Sequence, residues 1–388
     1  MKQIQKLKQT EIGEIPEDWN VKYLGDIGNV SSCKRIMKYQ TNSFGDIPFY
    51  KIGTFGKKAD AYISNELYKD YKEKYAFPKK GEILISASGT IGRTVVYDGS
   101  PAYFQDSNII WIENNEKIVK NNYLFYYYKL IKWTTEDTTI ARLYNDNLKR
   151  ILITIPKSPA EQSAIAQVLS DTDTLIESLN KLIEKKKNIK QGAMQQLLTG
   201  KKRLKGFSGE WEEKRLGEIL KYEQPVKYIV RSTEYSDKFF MPVLTANKAF
   251  ILGYTNETDG IFEDIPVIIF DDFTLDNKYV TFPFKVKSSA IKILKLRDNN
   301  SDLRFIFNRI QLINLPIGDH KRYYISEYQN IEIPIPSKQE QSAIAQVLSD
   351  MDAEIEELER KRDKYIFLKK GMMQELLTGR IRLPLEAK

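Results

Sequence analysis

Basic and hydrogen-bonding side chains recur in the predicted loops of both halves of this 388-residue chain. Lysine and arginine can anchor phosphates, while arginine, asparagine, glutamine and serine can read base edges in a groove of a nucleic acid. For any single residue, a solvated loop position is the alternative interpretation. The first half offers Lys34, Arg35, Lys38, Ser86, Ser88, Thr90, Arg93, Tyr103, Gln105, Ser107 and Asn108. The second half offers Lys227, Arg231, Thr245, Asn247, Lys248, Lys285, Lys287, Ser288, Ser289, Arg322 and Tyr323.

Signatures of catalysis and of metal binding are missing from the sequence. The SGTIG turn at residues 88–92 lacks the Lys-Ser or Lys-Thr pair of a phosphate-binding loop, so a structural hairpin is the better interpretation. The acidic pair Asp271 and Asp272 is expected to serve a turn, because no histidine or carboxylate pattern completes a metal site. The chain also lacks a base-methylating tetrapeptide, a Walker motif and a helicase box. We therefore predict binding without catalysis and without a metal.

Charge and composition narrow the class of protein. The formal net charge is +8, with 60 basic and 52 acidic residues, which favours an anionic partner such as nucleic acid. A mild excess of charge is also common in soluble proteins without such a partner. The single cysteine, Cys33, excludes an intrachain disulfide and agrees with a reducing compartment. Without an apolar stretch of about 20 residues or a signal peptide, we expect a cytoplasmic protein with no membrane partner.

A duplicated segment sets the architecture. Residues 161–200 recur without a gap as residues 340–379, with 24 of 40 positions identical, and both copies begin with EQSAIAQVLSD. The chain is therefore two copies of one unit, long enough for two domains that each bury a core.

Short anchors frame the region ahead of each repeat. Trp19, Leu24, Gly25 and Ile27 correspond to Trp211, Leu216, Gly217 and Ile219, and similarity returns just before the repeats, where Arg142 and Tyr144 match Arg322 and Tyr324. The bodies in between look unrelated, but each contains short alternating strands, as in GEILISASGTIG and PVIIFDDF. The C-terminal GRIRLP stops where GKKRLKGF leads on to the next tryptophan anchor, and the start of the chain supplies that continuation. We expect an α/β (α+β) protein that is a pseudo-two-fold circular repeat.

The repeated segments are expected to be long helices, with Pro159 and Pro336 ahead of them and Gly200 and Gly379 at their ends. A forty-residue helix would be roughly 60 Å long at about 1.5 Å per residue, so its natural partner is the other copy, antiparallel in a coiled coil. Such a pair could act as a ruler or be purely structural. The expected apolar stripes are Ile165, Val168, Thr172, Leu175, Leu179, Leu182, Lys186, Ile189 and Ala193, and Ile344, Leu348, Met351, Ile355, Leu358 and Tyr365.

Polar residues recur alongside these stripes and indicate two equivalent docking surfaces for partner proteins. Duplication that has not yet diverged is the alternative explanation. The candidate docking residues are Gln162, Gln167, Asp171 and Gln195 in the first copy, and Gln341, Gln346, Asp350 and Gln374 in the second.

These features together resemble the specificity subunit of a type I DNA restriction-modification system. The resemblance rests on TEIGEIPEDWNVKYLGDI, FSGEWEEKRLGEI and the two EQSAIAQVLSD...LLTG helices, with ILISASGTIG and VIIFDDFTLDNKYVTFPFKVKSSAIKIL in the bodies. It implies target recognition domains at residues 1–158 and 204–336, and spacer helices at residues 159–203 and 337–388.

The resemblance also implies a mechanism. Each domain would read one half of a bipartite sequence in double-stranded DNA, with the helices fixing the gap. Two methyltransferase subunits would carry S-adenosylmethionine and flip the target adenine for N6 methylation, and restriction subunits would use ATP and magnesium. This chain would hold no cofactor. The bodies differ by 13 residues between the tryptophan anchor and the repeat, so we expect two unlike half-sites.

Two rival classes differ in what they would show. A self-contained methyltransferase would transfer methyl groups unaided, and the missing tetrapeptide argues against it. A tandem adaptor would hold two protein partners, and any DNA binding would depend little on sequence or salt.

Overall fold

The structure is a computed structural model that describes residues 6–133, 143–245, 249–315 and 322–384. The chain forms two compact units. Unit 1 comprises Met1–Leu179 and Lys361–Lys388, and unit 2 comprises Asn180–Arg360. Each unit therefore combines one globular body with parts of both repeated segments. Within the described ranges, no helix is long and apolar enough to cross a membrane.

The body of unit 1 is made of short strands and short helices. Its strands are β1 (Leu7–Thr10), β2 (Gly13–Pro16), β3 (Trp19–Tyr23), β4 (Val30–Ser31), β5 (Ile47–Tyr50), β6 (Tyr62–Ile63), β7 (Ile83–Ser86), β8 (Thr94–Val96), β9 (Tyr103–Phe104), β10 (Ile109–Ile112) and β11 (Leu152–Pro156). Its helices are α1 (Asn65–Lys74), α2 (Asn121–Leu130) and α3 (Asn145–Lys149), with 3₁₀ turns at Leu24–Asp26 and Lys38–Gln40.

A four-stranded antiparallel sheet in the order β4, β10, β7, β8 forms the centre of unit 1. Strands β7 and β10 are apolar throughout most of their length because both faces of the sheet are covered. Ile83 and Ile85 pack in the cluster that includes α2, whereas Leu84 and Trp111 pack on the opposite face. That second face carries a smaller sheet in the order β6, β5, β9, in which β5 and β9 are parallel.

Unit 2 has the same arrangement. Its strands are β12 (Glu212–Arg215), β13 (Leu220–Glu223), β14 (Met241–Leu244), β15 (Ile251–Thr255), β16 (Val267–Asp271), β17 (Asn277–Val280), β18 (Lys285–Val286), β19 (Ile291–Leu296) and β20 (Glu332–Ile335). Its short helices are α5 (Leu216–Ile219) and α6 (Leu303–Ile310), with 3₁₀ turns at Pro225–Tyr228 and Tyr328–Asn330.

The central sheet of unit 2 is antiparallel in the order β13, β19, β16, β17, and the smaller sheet has the order β15, β14, β18 with β14 and β18 parallel. Both units also pair their first anchor strand with the strand before the repeat, β3 with β11 and β12 with β20. Bodies whose sequences look unrelated therefore share one topology.

Two long helices correspond to the repeated segments: α4 (Pro159–Leu197) and α7 (Lys338–Leu376). In unit 1, Asp173 of α4 pairs with Lys369 of α7. In unit 2, Lys187 of α4 pairs with Glu359 of α7 at 2.6 Å. Lys190, three residues further along α4, pairs with Asp352, which precedes Glu359 in α7. In unit 2 the later residue of α4 pairs with the earlier residue of α7, so the helices run antiparallel there, as predicted.

The predicted apolar stripe is wrong in part. Leu175, Leu182 and Ile189 are 37–48% exposed, whereas Leu179 and Ile183 are buried. An undistorted helix has 3.6 residues per turn, so its buried face drifts away from a strict seven-residue repeat. Ile183 therefore takes the interior position that the prediction gave to Leu182.

In each unit, an arginine beyond the end of one long helix pairs with a buried glutamate in the first turn of the other. In unit 1, Arg382 donates to both carboxylate oxygens of buried Glu161, at 2.7 and 2.6 Å. In unit 2, Arg203 does the same to buried Glu340, at 2.5 and 2.6 Å. The end of the chain thus occupies in unit 1 the place that the segment after α4 occupies in unit 2. The circular repeat predicted from GRIRLP is confirmed.

Candidate nucleic-acid interface and partner surface

Three chain segments meet at one end of the central sheet in unit 1. They are residues 86–93 after β7, residues 106–108 before β10, and residues 143–145. The amide of Ala87 donates to the carbonyl of Asn108 at 2.8 Å, and the amide of Leu143 donates to the carbonyl of Ala87 at 2.7 Å. Ser88 adds a side-chain bond to Asn108 Oδ1 at 2.9 Å. We call these three segments the unit 1 edge.

Unit 2 forms the same junction with different side chains. The amide of Asp272 donates to the carbonyl of Ala290 at 3.1 Å, and the amide of Tyr323 donates to the carbonyl of Asp272 at 3.0 Å. The segments are residues 271–277 after β16, residues 288–290 before β19, and residues 322–324, which together we call the unit 2 edge. Backbone bonds therefore fix both edges, while the side chains they carry are free to differ.

The SGTIG turn is a structural hairpin between β7 and β8, as the sequence indicated. Gly89 and Gly92 have φ of 64° and 80°, and a Cβ on Gly92 would lie 2.1 Å from the indole ring of Trp133. Both positions therefore require glycine. Ser86 is 1% exposed and bonds within the turn, donating to the carbonyl of Thr90 and accepting from the amide of Arg93. Its assignment as a DNA-binding residue is wrong because its hydroxyl is used internally.

A cleft of about 440 Å³ beside the unit 1 edge gathers several predicted DNA-binding residues. Arg35, Lys38, Gln105 and Asn108 line it, together with Lys51, which the sequence analysis missed. Arg35 is exposed and pairs with Asp106 at 2.9 Å, while Gln105 accepts from the amide of Ile52 at 2.8 Å. Lys51 directly follows the alternating strand β5, and that alternation was the available signal.

The other candidates of unit 1 lie in varied surroundings. Lys34 is exposed with Nζ 5.0 Å from the ring centroid of Tyr75, and Thr90 is exposed in its turn. Arg93 is half-buried and donates to the carbonyl of Phe55 at 2.9 Å, and half-buried Ser107 has φ of 52°. The structure contradicts the prediction that Tyr103 binds DNA. Its ring is fully buried in the core, and burial raises the pKa of its hydroxyl.

In unit 2 most described candidates are exposed. Arg231 pairs with Asp259 at 2.6 Å, and Lys287 donates to the hydroxyl of Tyr235 at 3.1 Å. Thr245 is half-buried and donates to the carbonyl of Ala249. The remaining exposed candidates are Lys227, Ser288, Ser289 and Arg322. Asn247 and Lys248 lie outside the described residues.

The structure contradicts two of the DNA-binding residues predicted in unit 2. Tyr323 is 2% exposed, so its ring belongs to the interior and its backbone alone serves the edge. Lys285 is also 2% exposed, and its ammonium is used by Glu257 at 2.7 Å and by the carbonyl of Asp259 at 2.7 Å. A phosphate of bound DNA would have to reach an ammonium that is buried and already paired with a carboxylate, which argues against this contact.

The partner of Lys285 supports a test by pH. Burial raises the pKa of Glu257, but Lys285 and the amides of Ser232 and Arg231 outweigh it and lower that pKa from 4.5 to about 2. This contribution to stability is present above pH 4.5 and is lost as the pH falls toward 2. We expect Glu257→Gln to unfold more readily than the wild type in urea at pH 7, with the difference shrinking between pH 4.5 and 2.

The control for this test is Asp259→Asn, which removes an exposed carboxylate nearby and should change the stability by less than about 0.5 kcal/mol. A deficit of Glu257→Gln that stays constant down to pH 2 would contradict the assignment.

The candidate docking residues divide into two groups. On the exposed faces of the long helices, Gln167 donates to Asp171 at 2.7 Å, and Gln346 donates to Asp350 at the same distance. Gln195 and Gln374 are exposed near the helix ends. Each unit thus presents a repeated polar surface.

The structure contradicts the predicted docking role of Gln162 and Gln341. Both are buried, and each accepts from the amide ahead of a short helix, that of Lys120 before α2 and that of Asp302 before α6. Their amide groups also donate to the carbonyls of Pro156 and Pro336. These glutamines recur because they cap the same helix in both units, so a partner cannot reach them.

Comparison with known proteins identifies the class. The family model described as "Type I restriction modification DNA specificity domain" matches residues 16–189 and again residues 208–366. The chain belongs to this family and contains two such domains. The resemblance stated from the sequence is therefore confirmed.

Individual relatives agree with this assignment. A putative type I restriction enzyme specificity subunit, S.HindORF215P of Haemophilus influenzae, is 62% identical over 157 residues, which span 40% of each chain. The putative type I restriction enzyme MjaX specificity subunit of Methanocaldococcus jannaschii is 26% identical over 98% of this chain and 97% of its own length.

The crystal structure of a type I restriction-modification S subunit from M. genitalium matches with a TM-score of 0.63 and 16% identity, covering 97% of this chain and 99% of that one. This match supports the predicted fold of two globular domains and two long helices.

Proposed function

We propose that this chain selects the DNA site of a type I restriction-modification complex, with each unit reading one half of a bipartite sequence through its edge. The observation that carries the proposal is the common backbone junction of the two edges, made by the amides of Ala87 and Leu143 in unit 1 and of Asp272 and Tyr323 in unit 2. A frame that holds three loops in place while their side chains vary suits a family of domains that read different sequences.

The two half-sites are proposed to differ. The first segment of the unit 1 edge has no acidic residue and carries Ser88, Thr90 and Arg93, whereas the first segment of the unit 2 edge carries the exposed, acidic Asp276. Guanidinium groups suit guanine, and carboxylates accept from the amino group of cytosine, so the edges differ in the base pairs they favour. An asymmetric site follows from this difference.

Two methyltransferase subunits are proposed to dock on the repeated polar surfaces at Gln167 with Asp171 and Gln346 with Asp350. In unit 1 this surface borders a cavity of about 860 Å³ whose lining includes Lys79, Lys120, Tyr126, Gln167 and Ser170. In this proposal the partners carry S-adenosylmethionine and methylate adenine at N6, and restriction subunits add ATP and magnesium chemistry in the cytoplasm. The chain itself contributes recognition and no catalysis.

The experiment is co-expression of the chain with its methyltransferase subunit in a host free of adenine methylation, followed by single-molecule sequencing of the genome. We expect N6-methyladenine in one bipartite motif with two unlike halves and a fixed gap. The matched control is the methyltransferase subunit alone, which should leave the genome unmodified. A palindromic motif would refute the asymmetry.

A stable complex without any motif would instead favour the tandem adaptor class, in which the chain holds proteins and leaves DNA unread. Methylation by the purified chain alone would favour a self-contained methyltransferase.

A further inference from the structure

The third segment of each edge follows a common register. Leu143 and Tyr323, whose amides make the bonds to the sheet, are separated by 180 positions in the sequence. The same offset relates Ile151 to Ile331, whose carbonyls accept from Leu24 at 2.8 Å and from Leu216 at 2.9 Å. These bonds fix the segment in an equivalent place in both units.

A basic residue recurs in the sequence at the same offset of 180 positions. Arg322 directly precedes Tyr323, and Arg142 directly precedes Leu143 in the sequence, although residue 142 lies outside the described ranges. Around them the edges diverge, since Ser88 and Gly89 of unit 1 occupy a turn where unit 2 has Phe273 and Thr274. In the sequence, therefore, an arginine recurs directly before the residue whose amide bonds to the sheet, whereas the turn residues beside it differ between the two edges.

The surroundings of Arg322 direct its charge toward solvent. Its side chain is exposed, with the guanidinium carbon 5.5 Å from the ring centroid of Phe273. The nearby carboxylate of Asp272 is buried and is matched by Lys292 at 3.2 Å. A guanidinium that stacks on a ring keeps its N–H donors available in its own plane.

We propose that Arg322 binds a phosphate of the DNA backbone at every site that unit 2 engages, and does not read a base. An exposed residue that is common to two domains, and that contacts DNA in both although they read unlike sequences, contacts what those sequences share, which is the sugar-phosphate backbone. Arg322 then places the unit 2 edge in register on the duplex, and the divergent neighbours read the bases. This inference rests on the proposed function.

The test uses the full complex of this chain with its methyltransferase subunits and a duplex that carries the methylated motif. We expect Arg322→Gln to weaken binding about tenfold and to reduce the slope of log K against log salt by about one. The genomic methylation motif should stay unchanged. Arg322→Lys, which keeps the charge, should retain the salt slope.

Lys205→Gln is the matched control, because it removes the same charge from an exposed position outside both edges and should leave the slope unchanged. A changed second half-site with an unaltered slope would make Arg322 a base reader and overturn the inference. Loss of a methyltransferase subunit from the complex would make it a protein contact, with the same consequence. If the wild-type complex neither methylates a motif nor binds DNA, the proposed function itself fails, and the inference fails with it.

Discussion

Replacement of Lys292 by methionine is expected to destabilise unit 2 by about 3–5 kcal/mol, because it leaves a carboxylate unpaired in the interior. Lys292 and Asp272 are each 3% exposed at their side chains, and Nζ lies 3.2 Å from Oδ2. The other oxygen, Oδ1, accepts from the amide of Tyr324 at 2.8 Å. The Lys292 ammonium also lies 4.7 Å from the ring centroid of Tyr222. The pair therefore stabilises the interior and ties the third segment of the unit 2 edge to the sheet.

The measurement is hydrogen exchange of peptides from β16 and β19 in the full chain, which reports the opening free energy of unit 2. The double variant Lys292→Met with Asp272→Asn should recover more than half of the loss, because asparagine carries no charge and still accepts from Tyr324. Arg231→Met, which removes an exposed ion pair, should cost no more than about 1 kcal/mol. Equal protection in Lys292→Met and wild type would rule out a structural role for the pair.

The common topology of the two bodies could not be predicted by comparing their sequences. Ile85 in β7 and Ile269 in β16 lie on strands buried on both faces, where many apolar residues satisfy the same requirement. The alternation and apolar runs predicted strands, but their order and the parallel pairs β5 with β9 and β14 with β18 depend on contacts between distant segments. Backbone hydrogen bonds maintain the common topology, and they leave no trace in side-chain identity.

In the long helices the limit was different. The similarity of the two copies showed which residues recur, but it did not show which of them are buried and which are exposed. Gln162 and Gln167 recur equally well in the second copy, yet one caps a buried helix start and the other is exposed on a helical face. Repetition indicates that a residue has the same surroundings twice, and it does not tell interior from surface. For Tyr103, the sequence showed an aromatic residue near polar loop residues, and only the packing of the core shows that its hydroxyl points inward.

Recurrence also contained a signal that the sequence analysis did not use. Arg203 and Arg382 stand 179 positions apart, the offset of the repeat, just beyond its last identical glycine. Their partners Glu340 and Glu161 open the repeated segments and are 1% exposed. Glutamate is seldom so buried without a partner, so a repeated acid at a helix start and a repeated arginine after the helix end could have been paired in advance.

Replacement of Arg382 by methionine is therefore expected to destabilise unit 1 by about 3 kcal/mol, because the carboxylate of Glu161 would stay buried without its bidentate partner. Arg382 also donates to Asp18 at 2.9 Å, so its loss loosens the chain end from the start of the body. The deficit should appear in hydrogen exchange of peptides from β3, β11 and the first turns of α4, with unit 2 peptides unaffected.

Arg380→Met provides the matched control two residues away. Arg380 is exposed and its ion pair with Glu375 is 3.7 Å long, so its loss should cost less than about 0.5 kcal/mol. Arg203→Met should reproduce the effect of Arg382→Met in unit 2, because the same pair closes that unit. If Arg382→Met and Arg380→Met were equally stable, the chain end would be a loose appendage. The circular repeat would then be a feature of the sequence without consequence for stability.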